Sequence, residues 1–403
     1  DYTSSFNNMP AKEAYFIHES KSSLNNHWNQ GLYRTYGSYV LSNGTFDFGE
    51  GYASSFSNTR SIDVATPFLS TAGPAPELTV RAYASGYASH SPQLSVGTYT
   101  QNYNTYYGDS VFQITATVNH NDISNTNTAV QLNGLSGSRD KYAVSVVSIK
   151  YPRVFDFEGK STFKFEVKSG ARKYIEVDNF DGGAATAQNV YLYDMTNQLR
   201  IQCYWDGTKV RAELPASTTD RTLVLVNETE KATVHGLYDT DFVNYSIVQG
   251  DYVILSHPAL FNDSEGNNPV FDYAAYRAQT GYNPVIVDIN RLYDQFAYGV
   301  QGHPMAIKNF AAFIHTNWQS TPPEHVFIIG KGRIYKDIRN TTASDNLVPT
   351  FGYPASDNLL LAPIASDVPV LPVGRLAATT GDQVSDYLNK IITLETAAKD
   401  SIS

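Results

Sequence analysis

The chain of 403 residues has a single cysteine, Cys203, so it can build neither an intramolecular disulfide framework nor a multi-cysteine metal site. Charge is scarce as well. Only 17% of residues are Asp, Glu, Lys or Arg, against about a quarter in ordinary globular domains. The net charge of −10 disfavours nucleic-acid binding, which needs a basic footprint. No apolar run reaches the roughly 18 residues that would mark a membrane-crossing helix. The chain opens at Asp1 without a leader-like segment, as expected of a processed or trimmed N-terminus. With no covalent staples, stability has to come from burial, and 42% of the residues are hydrophobic. Tyrosine is abundant, at 29 residues, and Asn, Ser and Thr are frequent. Aromatic and β-branched side chains suit a pleated, half-buried surface, and this composition is typical of β-rich proteins that work outside the cell.

At about 150 residues per domain, the length predicts two or three domains. Up to about residue 245 the pattern is β-like. Short alternating runs such as Leu78-Thr-Val-Arg-Ala-Tyr, Val111-Phe-Gln-Ile-Thr-Ala-Thr-Val and Tyr142-Ala-Val-Ser-Val-Val-Ser-Ile are separated by Gly, Asn, Asp and Ser clusters, which predicts sandwiches. A division near Tyr151-Pro-Arg gives two sandwich domains, 1–153 and 154–245, with one large sandwich as the alternative. From residue 246 to 403 the pattern changes to strands alternating with helices. Tyr252-Val-Ile-Leu-Ser, Pro284-Val-Ile-Val-Asp, His325-Val-Phe-Ile-Ile-Gly and Val368-Pro-Val-Leu-Pro-Val-Gly read as apolar strands. Helices are expected from Pro269 to a stop at Gly281, over Met305–Asn317, and through Val384, Leu388, Ile391, Ile392 and Leu394. This alternation predicts a mostly parallel sheet covered on both faces, with right-handed crossovers.

The order of motifs in the last 155 or so residues resembles the gingipain-type cysteine peptidases. Asp251-Tyr-Val-Ile-Leu-Ser-His, Tyr276-Arg-Ala-Gln-Thr-Gly-Tyr, Val285-Ile-Val-Asp-Ile and Leu292-Tyr-Asp-Gln-Phe-Ala-Tyr-Gly open the series. Ala306-Ile-Lys-Asn-Phe, Val326-Phe-Ile-Ile-Gly-Lys-Gly, Val348-Pro-Thr, Ala355-Ser-Asp-Asn, Val373-Gly-Arg-Leu and Asn389-Lys-Ile-Ile-Thr-Leu-Glu continue it. Each piece is weak alone, and the order and spacing carry the likeness. A large β-rich part ahead of this region, with the tracts around Trp28 and Gly31, Phe46-Asp-Phe and Val190-Tyr-Leu-Tyr-Asp-Met-Thr, is similar to the members that act as sortases of the type IX secretion system. The resemblance implies a multi-domain fold, a β-sandwich region followed by the first half of a caspase/gingipain-like α/β domain. One departure stands out. Relatives often carry Gly-Asp-Gly after the third strand, and here Gly330-Lys331-Gly332 puts a base where an acid would be. Any acid-dependent role at that strand end, such as ion binding, is thereby in doubt.

The resemblance further implies a cell-surface enzyme associated with the outer membrane of a Bacteroidetes bacterium. Its members remove C-terminal sorting signals from secreted cargo and join the new carboxyl end to anionic lipopolysaccharide. An outer-membrane barrel such as PorV is the implied partner. In the family a cysteine thiolate attacks the scissile carbonyl and a histidine in a Gly-His context handles protons. Both are expected in a second half of the domain, after the helix that closes near Ser403. No catalytic, cofactor or metal residue is therefore carried over, and the chain is expected to be inactive alone. The competing readings are a non-enzymatic surface scaffold with a degenerate peptidase fold and a carbohydrate-active sandwich, which would need paired carboxylates across a cleft. A half fold with an open sheet edge should be unstable by itself, which favours a longer parent chain.

Individual side chains sharpen this little. Cys203, in Arg200-Ile-Gln-Cys-Tyr-Trp-Asp, reads as a buried small hydrophobe, since reactive cysteines need an electropositive niche. His257 falls at the carboxyl, functional end of its strand, yet a cap is the commoner role there. His325 falls at the opposite end of its strand, and His315 at the border of a helical apolar stripe. Asp357, Asn358 and Asp367 could bind Ca²⁺ through oxygen ligands, although solvated loop acids are the plainer reading. The Gly330-Lys331-Gly332 turn lacks the rest of a phosphate loop, and a turn needing positive φ accounts for its glycines. Tyrosines of the β region could stack on sugars and equally serve as cross-strand packers.

Overall fold

The structure, a computed structural model, describes the chain except residues 1, 4–7, 31–33, 37–38, 42–49, 85, 87, 187, 238, 335–337, 339–343, 353–354, 364–365 and 401–403. The Gly31 and Phe46-Asp-Phe tracts lie outside the described residues, as does the side chain of Trp28. Two compact units form, one mainly from Gly49–Gly236 with the N-terminal tract and one mainly from Leu237 onward. No helix is long and apolar enough to cross a membrane among the described residues.

The first unit is all β. Its strands alternate as the pleat requires. Thr162–Val167 buries Phe163, Phe165 and Val167 and exposes Thr162, Lys164 and Glu166. One nine-stranded sheet runs, in spatial order, through Tyr2–Thr3, Leu199–Gln202, Val190–Asp194, Arg221–Asn227, Thr162–Val167, Phe16–Ser23, Tyr142–Arg153, Glu77–Ala84 and Ser110–Thr117. Two four-stranded sheets accompany it. Tyr99–Asn102, Pro92–Val96, Asn127–Gly134 and Thr59–Ala65 form one. Asp156–Lys160, Lys173–Phe180, Lys209–Leu214 and Tyr204–Trp205 form the other. Each contributes to its own apolar core. Leu78, Val80, Leu94, Leu132, Val144 and Ile149 belong to the first. Phe16, Phe157, Phe165, Val177, Leu192 and Leu225 belong to the second. The cores are separate, yet the long sheet serves both.

Phe16–Ser23 is the seam of that sheet. It pairs antiparallel with Tyr142–Arg153 over eight consecutive positions, from Phe16↔Arg153 to Ser23↔Val146. On its other side it meets Thr162–Val167 at Ile17↔Glu166. The chain turns from one core to the other at Arg153, a guanidinium only 1% exposed. Arg153 lies over the rings of Phe68 and Phe163, 5.1 and 5.2 Å from their centroids, and donates to the Asp156 carbonyl (2.8 Å) and to Glu158. His18 sits in the same aromatic nest, 5.7 Å from Tyr151 and 5.6 Å from Phe163.

The second unit is α/β. The four strands of its main sheet are all parallel, in the spatial order Pro284–Asp288, Tyr252–Ser256, His325–Ile329, Val373–Leu376. Five helices are used below: α1 (Pro269–Gln279), α2 (Ile289–Phe296), α3 (Met305–Asn317), α4 (Asp357–Leu360) and α5 (Gly381–Asp400). Both sheet faces are covered, so the strands read as unbroken apolar runs. Val253 and Leu255 face a cluster with Leu292 of α2 and Ile307, Phe310 and Ile314 of α3. Ile254 faces the other way, toward Val270 and Tyr273 of α1 and Val384 of α5. Asn268 caps α1 by accepting from the Phe271 N–H at 3.3 Å, with Pro269 in the first turn where no N–H is missed.

Two sequence expectations shift here. The last strand, expected over residues 368–374, is Val373–Leu376. Pro369 and Pro372 have no N–H to give a ladder, and Pro372 takes part only through its carbonyl, which accepts from Val326 at 3.0 Å. Helix α2 was not expected. Its apolar residues Ile289, Leu292, Tyr293 and Phe296 nonetheless have helical spacing, and Asp288 caps it by accepting from the Asn290 N–H at 2.9 Å.

Burial, helped by the nearby Arg153 and Lys160, pushes the His18 imidazole from its ordinary 6.5 down to about 4. Between those values the unfolded chain binds a proton that the folded chain refuses. Stability is therefore full above about pH 6.5 and falls as pH drops toward 4, by up to about 3 kcal/mol. A His18→Phe variant should lose this component. In urea unfolding, the stability of the native protein relative to the variant should decline as pH is lowered through that window. A difference that stays flat would refute a neutral, buried His18.

Candidate functional site

Parallel register aligns the carboxyl ends of the four strands, where α/β folds place ligands. That rim carries His257 after the first strand, Asp288 ending the second, Gly330-Lys331-Gly332 after the third and Ala377-Ala378 after the fourth.

Arg375, on the last strand, is the most connected side chain of the rim. Its side chain is 10% exposed and grips Asp357 at both oxygens, at 2.7 and 2.9 Å. The same guanidinium donates to the carbonyls of Gly330 (2.6 Å), Val348 (2.9 Å) and Pro349 (3.2 Å). One residue thus ties the third-strand turn, the segment at 348–349 and the start of α4 together. Such a planar fork cannot be replaced by lysine. Beside it, Lys331 pairs with Asp345 at 2.8 Å, and Arg333 grips the same carboxylate, with its Nη2 at 2.7 Å. Hydrogen bonds from Arg333 and then Lys331 hold the Asp345 carboxyl far below the usual carboxylate range.

The glycines of this turn have distinct reasons. Gly330 has φ +147°, which side-chain-bearing residues avoid. Gly332 has ordinary φ, but a Cβ there would lie 2.5 Å from Thr350 Cγ2 and 2.6 Å from the Val348 carbonyl oxygen. Positive φ therefore accounts for one glycine and close approach for the other.

The remaining candidates take structural places. His257 accepts from the Ala259 N–H through Nδ1 (3.1 Å), capping a short 3₁₀ turn, and burial lowers its pKa against the pull of Asp288. His325 lies at the amino end, between the rings of Tyr252 (5.7 Å) and Tyr282 (5.6 Å). His315 is exposed in the last turn of α3. Both Asp357 oxygens accept from Arg375, at 2.9 and 2.7 Å. Asn358 and Asp367 are exposed. Among the described residues no group of three or more His, Cys, Asp or Glu side chains is arranged to hold a metal ion. Cys203 lies in the second core of the first unit, 3% exposed, and burial pushes its thiol pKa well above the ordinary value. Two features escaped the sequence reading. Asp345 and Arg333 complete the rim from positions with no local motif. A Gly-His step also occurs within these residues, at Gly302-His303, although the family's Gly-His histidine is expected after the closing helix. The His303 Nδ1 accepts from the Met305 N–H (3.1 Å) at the start of α3, a capping role, and burial lowers its pKa.

The rim is a framework of pinned cations on a parallel sheet, and its kinship follows from the sequence that builds it. Residues 247–402 match the model of Peptidase family C25, the gingipain family. The dimeric latent PorU from Porphyromonas gingivalis is similar in fold to nearly the whole chain, with a TM-score of 0.54 and 13% identity over 97% of this chain and 39% of that one. The chain thus spans about 39% of that PorU's length. The likeness to PorU covers both the sheet-rich region and the C25 region. The CBM36-1 domain of a multidomain xylanase from the hindgut metagenome of Trinervitermes trinervoides is also similar, at 17% identity over 33% of this chain and 95% of that one, but its TM-score of 0.20 carries no argument. No curated protein matches the chain.

Replacing Arg375 by Leu should leave Asp357 without its partner and three carbonyls without their donor. A loss of about 2 to 3 kcal/mol in urea unfolding is expected, with faster amide exchange at residues 345–348. Unchanged exchange there would mean that Arg375 does not hold the rim. Cys203 should react with Ellman's reagent only after denaturation. Stoichiometric reaction of the native protein would refute its burial.

Proposed function

We propose that this chain is part of a PorU-like cysteine peptidase of the type IX secretion system, one that removes C-terminal sorting signals from secreted cargo. The observation that carries this reading is the conjunction of a C25 region at residues 247–402 with a sheet-rich region ahead of it in the chain, both within the stretch that is similar in fold to PorU. The reaction is acyl transfer. A thiolate attacks the scissile carbonyl, a histidine returns the proton to the leaving amine, and an amine on anionic lipopolysaccharide captures the acyl-enzyme in place of water. The enzyme would act at the cell surface, in contact with the outer membrane, with a barrel protein such as PorV as its partner.

Cys203 is not the nucleophile in this scheme. A nucleophilic cysteine needs a lowered pKa and access to substrate, and Cys203 has a raised pKa and a buried sulfur. The attacking thiol would be supplied by sequence other than these 403 residues, and the α/β unit would provide the sheet and the pinned rim beside it. A scaffold with a degenerate peptidase fold is the second reading. It is favoured by the lysine at position 331, locked onto Asp345 where relatives often carry an acid.

Deleting the gene that encodes this chain in its own bacterium and reading the C-termini of secreted cargo by mass spectrometry tests the proposal. Cargo that keeps its C-terminal signal supports the peptidase reading, provided that a Cys203→Ala copy restores trimming. Cargo trimmed normally in the deletion strain would refute it and leave the scaffold.

A further inference from the structure

The seam strand Phe16–Ser23 is preceded by a segment, residues 8–14, that lies against the sheet of the second core. Lys12 pairs in parallel with Tyr174 of Lys173–Phe180 at an isolated position. Asp156–Lys160 pairs with the same strand only toward its far end, at Asp178 and Phe180. Residues 8–14 thus take the part of that edge which Asp156–Lys160 leaves open. Both flanks of the segment are tied down elsewhere. Tyr2–Thr3 pairs with Leu199–Gln202 at Tyr2↔Ile201 and Thr3↔Gln202, and Phe16 lies 1% exposed in the second core.

The contacts that hold residues 8–14 are rich in charge and poor in apolar burial. Glu13 donates its backbone N–H to the Tyr174 carbonyl at 2.8 Å. Lys12 Nζ lies 3.3 Å from Glu176, and Lys173 Nζ donates to Glu13 at 2.8 Å. Arg172 donates to the Asn8 carbonyl. None of residues 8–14 is buried, and neither core of the unit contains one of them. Exposed ion pairs are individually weak and are screened by salt, over a Debye length of about 10 Å at 0.1 M and about 3 Å at 1 M. A segment without an apolar anchor opens more readily than the core it rests on.

From this arrangement we infer that residues 8–14 are a charge-latched strap. At low ionic strength the strap closes the edge at Tyr174, and at high ionic strength it lifts while the sheet beneath stays folded. Its ion pairs allow lifting without isolating the charges left behind. Glu176 keeps Lys209 at 3.0 Å and Arg211 at 3.1 Å when Lys12 departs. Arg172 keeps Glu213 at 3.2 Å when the Asn8 carbonyl leaves. Phe16 bounds the lifting, because its ring is packed among Phe155, Phe157, Phe163 and Phe165. The open strap uncovers main chain, the Tyr174 carbonyl that accepts from Glu13 when it is shut.

Amide hydrogen exchange of the whole 403-residue chain in about 0.05 M and about 1 M NaCl tests the inference. The amide at position 13 should lose protection about tenfold at the higher salt, while amides of Thr162–Val167 keep theirs. A chain carrying Lys12→Gln and Glu13→Gln should show the high-salt behaviour already at low salt, after correction for the intrinsic exchange rate of the new residues. Its urea unfolding should keep the native midpoint, because no core residue is altered. An amide at position 13 that is equally protected at both salt concentrations would overturn the inference. So would a double variant as protected as the native chain. A loss of protection shared by position 13 and Thr162–Val167 would overturn it as well, since the segment would then open only with the core.

Discussion

The first unit stands on a strand that is mostly polar. Phe16–Ser23 supplies eight pairs to Tyr142–Arg153 on one side and a single pair, Ile17↔Glu166, to Thr162–Val167 on the other. Without it the nine-stranded sheet would fall into two. The strand's backbone belongs with the strands of the first core, while its Phe16 ring lies in the second, among Phe155, Phe157, Phe163 and Phe165. Edge-to-face geometry dominates these contacts and adds to the area that each ring buries. Since a single main-chain pair spans the seam, side-chain packing around Phe16, His18 and Arg153 holds the halves of the sheet together. That explains why a guanidinium can be buried there. Two ring faces, a carbonyl and a carboxylate replace its water.

In the α/β unit the same demand, that no buried charge go unpaired, organises the loops beyond the strands. Arg375 and Asp357 satisfy each other, and the surplus donors of the guanidinium go to carbonyls that have no ladder partner. Lys308 does similar work from α3. It is 4% exposed, donates to the carbonyls of Leu359 and Ala362, and lies 4.6 Å from the centre of the Phe351 ring. These side chains convert irregular backbone into fixed structure, so the rim can present Lys331 and Arg333 in one orientation.

Legibility in the sequence followed the period of the apolar residues. Met305–Asn317 was readable from Ile307, Phe310, Ala311 and Ile314, and the strands at 252, 284 and 325 from short apolar runs too brief for helices. The seam strand was not readable. After Phe16 and Ile17 it continues His-Glu-Ser-Lys-Ser-Ser, and neither hydrophobic alternation nor composition marks it. The rim was legible only in part. Val373-Gly-Arg-Leu drew notice as part of a family pattern, but nothing in the sequence says that its arginine reaches Asp357, 18 residues earlier. Asp345 and Arg333 lacked even that cue, because an ion pair formed across a loop leaves no spacing to detect.

Placing the cysteine by burial rather than by its uniqueness changes what the α/β unit can be asked to do. A thiol in an apolar core resists ionisation, and the rim, rich in guanidinium and ammonium, has no thiol to ionise. The thiol and the positive neighbourhood that a thiolate nucleophile requires thus belong to different residues of this chain. The buried thiol and the rim are therefore separate features of the chain. The cations of the rim are committed to Asp345 and Asp357, so they offer a fixed field rather than side chains free to move toward a ligand.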